Sequence, residues 1–318
     1  MFGWQPMDRC SVGNLASGAG DAVWHWALPL LGAALVWGAV GCASRPEPEK
    51  PEPMPSRGSP KRLIGVAARL LRKPSLAEDP SFLQDVVEAL GWTEDSRASG
   101  VLLEILQDPE EDCFKPAAAQ ALGRIREPRA VRPIAEAMAR GEVWPERALY
   151  SIAFIGNEEA VGVLTQALDP GSDEPTRLAA ANAMYFVRGE AVVRALTVAV
   201  EADPSKQVRV AAAGSLVHHG HDEYLTLLQE ALDDADARVR REAAIAVAYT
   251  LELSDATFPI LIRMLSHEDP EVAACAWETL EKEVNDGTLN YPSPPRSPED
   301  GRRMAEAFKR LWSEQRGK

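Results

Sequence analysis

Three imidazoles and two carboxylates crowd into the short run Val217–Glu223, as His218, His219, His221, Asp222 and Glu223. Side chains of these types bind zinc or nickel when they converge on one point. Their spacing argues against convergence, because neighbours on a single turn cannot all face one ion. Gly220 marks the stretch instead as a helix end closed by a left-handed glycine. His218 and His219 then complement the negative end of that helix, and Asp222 is placed to cap the next one. No metal and no other cofactor is expected.

Other constellations are equally reticent. The four cysteines, Cys10, Cys42, Cys113 and Cys275, have no CxxC partner and no nearby histidine, which excludes zinc-ribbon and thioredoxin chemistry. Cys275 lies in an alanine-rich stretch and reads as small apolar filler, whereas Cys113 sits near a turn. No Ser-His-Asp order, glycine-rich phosphate loop or HExxH pattern occurs, so a non-enzymatic chain is expected. The formal charge of −14 repels phosphate backbones and excludes nucleic acid as the default partner. Cationic residues nevertheless recur in a row, Lys115, Arg147, Arg177, Arg209 and Arg240, and such a row either grips an anion or ties turns together.

That row belongs to a repeat. The stretches "FKPAAAQALG", "ERALYSIAF", "TRLAAANAM", "VRVAAAGSL" and "VRREAAIAV" align, with a degenerate first copy at Phe82 and a weaker last one at Val272. Counted at the cation position, Leu83, Lys115, Arg147, Arg177, Arg209, Arg240 and Ala273 stand 30–33 residues apart. An Asp-rich or Asp-Pro turn opens several units, at Asp108, Asp203, Asp233 and Asp269, where aspartate caps and proline suits a helix start. An alanine-rich first helix follows, then a second helix whose large apolar residues recur every three or four positions, such as Val192, Ala195, Leu196 and Val200. Pro133 and Pro259 occupy matching places near the starts of second helices. One pair alone cannot bury its apolar face, and stacking of pairs does so.

The grammar Val-Arg-x-x-Ala-Ala-x-Ala-Leu-Gly, seen at Val239–Val247 and Lys115–Gly123, resembles the HEAT-repeat family, specifically the short HEAT-like repeats of bilin lyases. The resemblance implies an all-α solenoid of about seven helical hairpins with capping helices. It also implies that each ladder arginine pairs with the turn aspartate of its own or the next repeat. HEAT-like deoxyhypusine hydroxylases bind two irons through several His-Glu pairs, and this chain has the single pair His267-Glu268.

The N-terminus poses a different question. No charge occurs between Asp21 and Arg45, and Val23–Gly41 is about long enough to span a bilayer. The run Ala39-Val40-Gly41-Cys42 resembles a bacterial lipoprotein signal, with Ala39 where leucine is usual. The resemblance implies that Cys42 becomes the first mature residue and carries acyl chains, each buried methylene contributing about 0.8 kcal/mol. An uncleaved membrane helix and a translation start further downstream remain open. Behind Cys42, "SRPEPEKPEPMPSRGSP" alternates proline with charge and predicts an extended tether.

The expected organisation is a signal over 1–41, a lipidated Cys42 and tether over 42–60, repeats over 61–284, a Pro-rich connector over 285–298 and a capping helix over 299–318. The basic amphipathic segment 61–72 is expected to cover the first repeat, and Met304, Phe308, Leu311 and Trp312 to form the apolar stripe of the last helix. The expected function is a non-enzymatic scaffold, anchored by lipid to a membrane of the bacterial cell envelope facing the periplasm or exterior. It would bind an unidentified protein partner on a concave face lined by second helices. The alternatives are a bilin-lyase-like enzyme subunit and a cytosol-facing adaptor held by an uncleaved helix.

Overall fold

The computed structural model describes residues 65, 80–92, 95–108, 114–250, 253–285 and 287–316. The apolar tract, Cys42 and its tether, Cys10, Cys113 and nearly all of the basic segment 61–72 lie outside the described residues. Among the described residues, no helix is long and apolar enough to cross a membrane.

Fourteen α-helices and no strand are present among these residues. The first five are α1 (Pro80–Trp92), α2 (Ser99–Gln107), α3 (Lys115–Ile125), α4 (Val131–Ala139) and α5 (Pro145–Ile155). Then come α6 (Glu158–Ala167), α7 (Glu174–Ala183), α8 (Glu190–Ala202), α9 (Lys206–His218) and α10 (Leu225–Ala231). The last four are α11 (Ala237–Thr250), α12 (Phe258–Met264), α13 (Pro270–Glu283) and α14 (Pro298–Arg316). Odd-numbered helices are the first helices of the hairpins and even-numbered ones the second helices. The chain divides into two compact units, which part within α6 after Ala160.

Capping follows the turn chemistry with one refinement. Asp269 caps α13 by accepting from the Glu271 N–H at 3.0 Å, and Asp173 caps α7 through the Thr176 N–H at 2.9 Å. Asp203 and Asp234 do not cap. Ser205 takes the cap position of α9, and Asp236 accepts from the Arg238 N–H at the start of α11. The two displaced carboxylates are engaged by cations instead.

Small residues set how closely the first helices approach. A Cβ placed on Gly91 of α1 would meet the Ala121 Cα of α3 at 2.7 Å, and one on Gly123 would meet the Ser151 Cα of α5 at 2.8 Å. In the second unit, a Cβ on Gly214 of α9 would meet the Ala246 Cβ of α11 at 2.7 Å, and the Ser215 hydroxyl donates to the Ala181 carbonyl of α7 at 2.8 Å. Second helices carry larger side chains into the core, such as Val192 and Leu196 of α8 and Leu228 of α10. Asn182 of α7 donates to the Glu242 carboxyl of α11 at 3.0 Å, reaching past α9.

At the C-terminus the Ser297 hydroxyl accepts from the Asp300 N–H at 3.2 Å and starts α14, which packs on α12. Phe308 and Leu311 are buried there, and Trp312 stacks on Phe258 with ring centroids 4.7 Å apart.

Candidate functional site

The cation row lies at the starts of first helices and works in two directions. Arg177, only 6% exposed, donates through Nε to Asp203 at 2.8 Å and through Nη1 to the Ser172 carbonyl at 2.6 Å. Arg240 repeats this one hairpin pair beyond α9, donating to Asp269 at 2.6 and 2.8 Å and to the Asp234 carbonyl at 2.8 Å. In the first unit the buried Lys115 ammonium reaches Glu142 at 3.1 Å. Each of these three cations thus grips a carboxylate in the turn that opens the next repeat, and the two arginines also hold a carbonyl of their own turn. Arg209 keeps only the carbonyl half, donating to the Asp203 oxygen at 2.6 Å, while Lys206 takes Asp234 at 2.8 Å. Burial pushes the Arg147 guanidinium pKa down, opposed by the Glu88 carboxylate. The row ties turns together, and its members are occupied by protein groups rather than aimed at a shared ligand.

The histidines do not converge. The His218 ring stacks on Tyr185 with centroids 3.7 Å apart. His219 Nε2 bonds the Met184 carbonyl at 3.0 Å, and His221 Nδ1 faces Glu223 at 3.2 Å. Half burial pushes the His219 pKa down, disfavouring the imidazolium. Among the described residues no group of three or more His, Cys, Asp or Glu side chains could hold a metal ion. Gly220 has φ +94° and closes α9, with the His221 N–H returning to the Leu216 carbonyl at 3.0 Å. The next cap position falls on His221, one residue before Asp222. His267 is a turn residue, accepting the Asp269 N–H at 2.9 Å on Nδ1 and facing Asp233 at 3.4 Å through Nε2. Burial pushes the Cys275 thiol up to about 12, so it is held in the unreactive protonated form.

Sequence reasoning missed Glu242. It is 3% exposed and held by two amides, Asn182 at 3.0 Å and Gln207 at 3.3 Å. Burial raises its pKa against the opposing effect of those donors. The signal was present: two residues after the cation, the other repeats carry Ala117, Leu149, Ala179 and Ala211, all buried. A carboxylate at that place had to find polar partners inside the stack.

Among the described residues, the exposed large apolar side chains are Trp92 and Trp144 in the first unit and Val198 in the second, and two grooves with apolar linings lie in the second unit. A groove of about 440 Å³ runs beside α8, lined by Leu168, Pro170, Ala191, Ala195 and Ala199, and Val198 beside them is 60% exposed. A second groove lies between α12 and α14, floored by Phe258, Ile262 and Ala305. Neither was legible in the repeat pattern, because outward positions are those the repeat leaves free.

A family model described as HEAT repeats matches residues 69–150, 142–217, 193–250 and 225–291. No curated protein sequence matches the chain. Among solved structures, the complex of CpcE and CpcF of phycocyanin lyase from Nostoc sp. PCC7120 is similar at 18% identity and a TM-score of 0.47, over 82% of this chain and 98% of that one. Human deoxyhypusine hydroxylase in complex with glycerol is similar at 20% identity and a TM-score of 0.32, over 71% and 85%. A computationally designed armadillo repeat protein gives 19% and 0.30, over 69% and 99%. The expectation that the chain is not an enzyme is corrected on this comparison, in which a similar solved structure is a phycocyanin lyase complex. With matches running from residue 69 to residue 291, this chain belongs to the HEAT-repeat family.

Proposed function

We propose that the chain is a membrane-tethered adaptor of a bacterial cell envelope, which binds a protein partner through the outward surface of its second helices. The carrying observation is the apolar groove along α8 with Val198 60% exposed at its edge. Apolar side chains grouped beside a groove and rimmed by charge mark association sites on otherwise polar surfaces. Extended rows of helices supply such surfaces. The tether reading is supported by the apolar run ending at Cys42 and the proline-rich stretch behind it.

Crosslinking followed by affinity capture from native membranes tests the binding, with Val198→Glu alongside the unaltered chain. A partner recovered by the native chain and lost with Val198→Glu is the expected result. Recovery of no partner under several conditions sinks the adaptor reading, and undiminished recovery with Val198→Glu removes the α8 groove from it.

A further inference from the structure

The groove between α12 and α14 differs from the rest of the chain in charge. Arg263 of α12 and Arg302 and Lys309 of α14 stand on its walls, and Glu306 is the one carboxylate among its lining residues. Three cations to one anion is a local reversal in a chain of net charge −14. Two of the three have internal partners: Lys309 reaches Glu306 at 2.8 Å, and Arg263 reaches Asp233 at 3.4 Å and the Gln229 carbonyl at 3.0 Å. Arg302 is exposed and makes no ion pair or hydrogen bond within the described residues. Beneath them the floor is apolar, and the space amounts to about 760 Å³, enough for a large side chain and the backbone that carries it.

We infer that this groove docks an acidic segment of a protein partner, seating an apolar side chain between two carboxylates. The inference rests on the protein-binding reading above and names the chemistry of the partner. Arg302 and Lys309 are seven residues apart on one helix, about 10 Å along its axis. Carboxylates two helical turns apart on a partner helix match that separation, with the intervening apolar residue over Ala305 and Ile262. Opposite charge at the rim speeds encounter and sets register, while the apolar contact supplies the held surface. Nucleic acid, which also seeks cations, meets the repulsion of the remaining chain.

The probe is a displayed library of random dodecapeptides selected on the full-length chain, with the selected peptides measured by fluorescence anisotropy. Enriched peptides should pair Asp or Glu with Leu or Phe. They should bind at least about tenfold more weakly to R302E/K309E, and weaken as salt rises. The same double variant should gain affinity for versions of those peptides with lysine in place of the acids. R302Q/K309Q, which removes charge without reversing it, should fall between the two. Enriched peptides without acidic residues, an empty selection, or equal binding to R302E/K309E would each overturn the inference. So would displacement of the peptides by heparin at lower charge concentration than by polyglutamate. Capture of the native partner separates the two readings: undiminished recovery by R302E/K309E removes this groove and leaves the adaptor standing, whereas no partner for the native chain removes the adaptor itself.

Discussion

Asn182 donates to Glu242 at 3.0 Å across 60 residues of chain, joining α7 to α11 over the intervening α9. This bond ties alternate first helices of the second unit together and anchors a buried carboxyl. Charged neighbours on the packed helices are otherwise engaged, Lys206 with Asp234 on one side and Arg241 with Glu271 on the other. The Arg241 field favours the charged form, and burial outweighs it.

A pH dependence follows from that carboxyl. Its folded pKa is raised above the unfolded value, so the folded chain binds the proton more tightly. Its contribution to stability is full below the unfolded carboxylate range and is lost as pH rises through the folded value. Glu242→Gln keeps the shape and removes the titration. The urea midpoint of the native chain should fall relative to Glu242→Gln as pH rises above the unfolded carboxylate range. Parallel midpoints over that rise would show that Glu242 is not the group responsible.

The Arg177–Asp203 pair should behave as a buried, fully partnered bridge. Arg177→Met strands Asp203 at 4% exposure and should cost about 3–5 kcal/mol in urea unfolding. Restoring neutrality with Asp203→Asn should recover part of that loss in a double-mutant cycle. Arg209→Met, which loses a carbonyl contact and no carboxylate in the ladder, should cost less.

Two glycines in helices should respond in opposite senses to alanine. A Cβ at Gly301 would collide with the Leu265 carbonyl oxygen, where α14 leans on the end of α12. Gly301→Ala should destabilise by about 1–3 kcal/mol, since backbone must move. Gly162 of α6 has nothing within 4 Å of that position, and Gly162→Ala should stabilise by about 0.4–1 kcal/mol. Thermal unfolding of the two variants distinguishes contact from backbone entropy.

Cys42→Ser tests the tether apart from the repeats. Lipidation at Cys42 predicts that the native chain incorporates labelled acyl chains and sediments with membranes, and that the variant does neither. Membrane association without label in the native chain would point to an uncleaved helix instead.

The repeat, its period, the helical class and the cation ladder were all in the amino-acid pattern, because each is a local rule applied again and again, the cation in five of the seven copies. An alanine run beside a capped turn makes a helix wherever it stands, and cations set a repeat apart announce their own register. The ladder's partners were only half legible. Asp203 and Asp269 stood in visible turns, whereas Glu142 and the carbonyls of Ser172 and Asp234 are met only when the turns fold against each other. The Asn182–Glu242 contact was decided by tertiary packing alone, since its partners stand 60 residues apart and no single repeat contains both. The same holds for the groove between α12 and α14: Arg302 and Lys309 are unremarked surface cations in sequence, and become a pair of walls only where α14 lies over Ile262. Local composition determined what each helix is, and the packing of helices against one another decided which side chains meet.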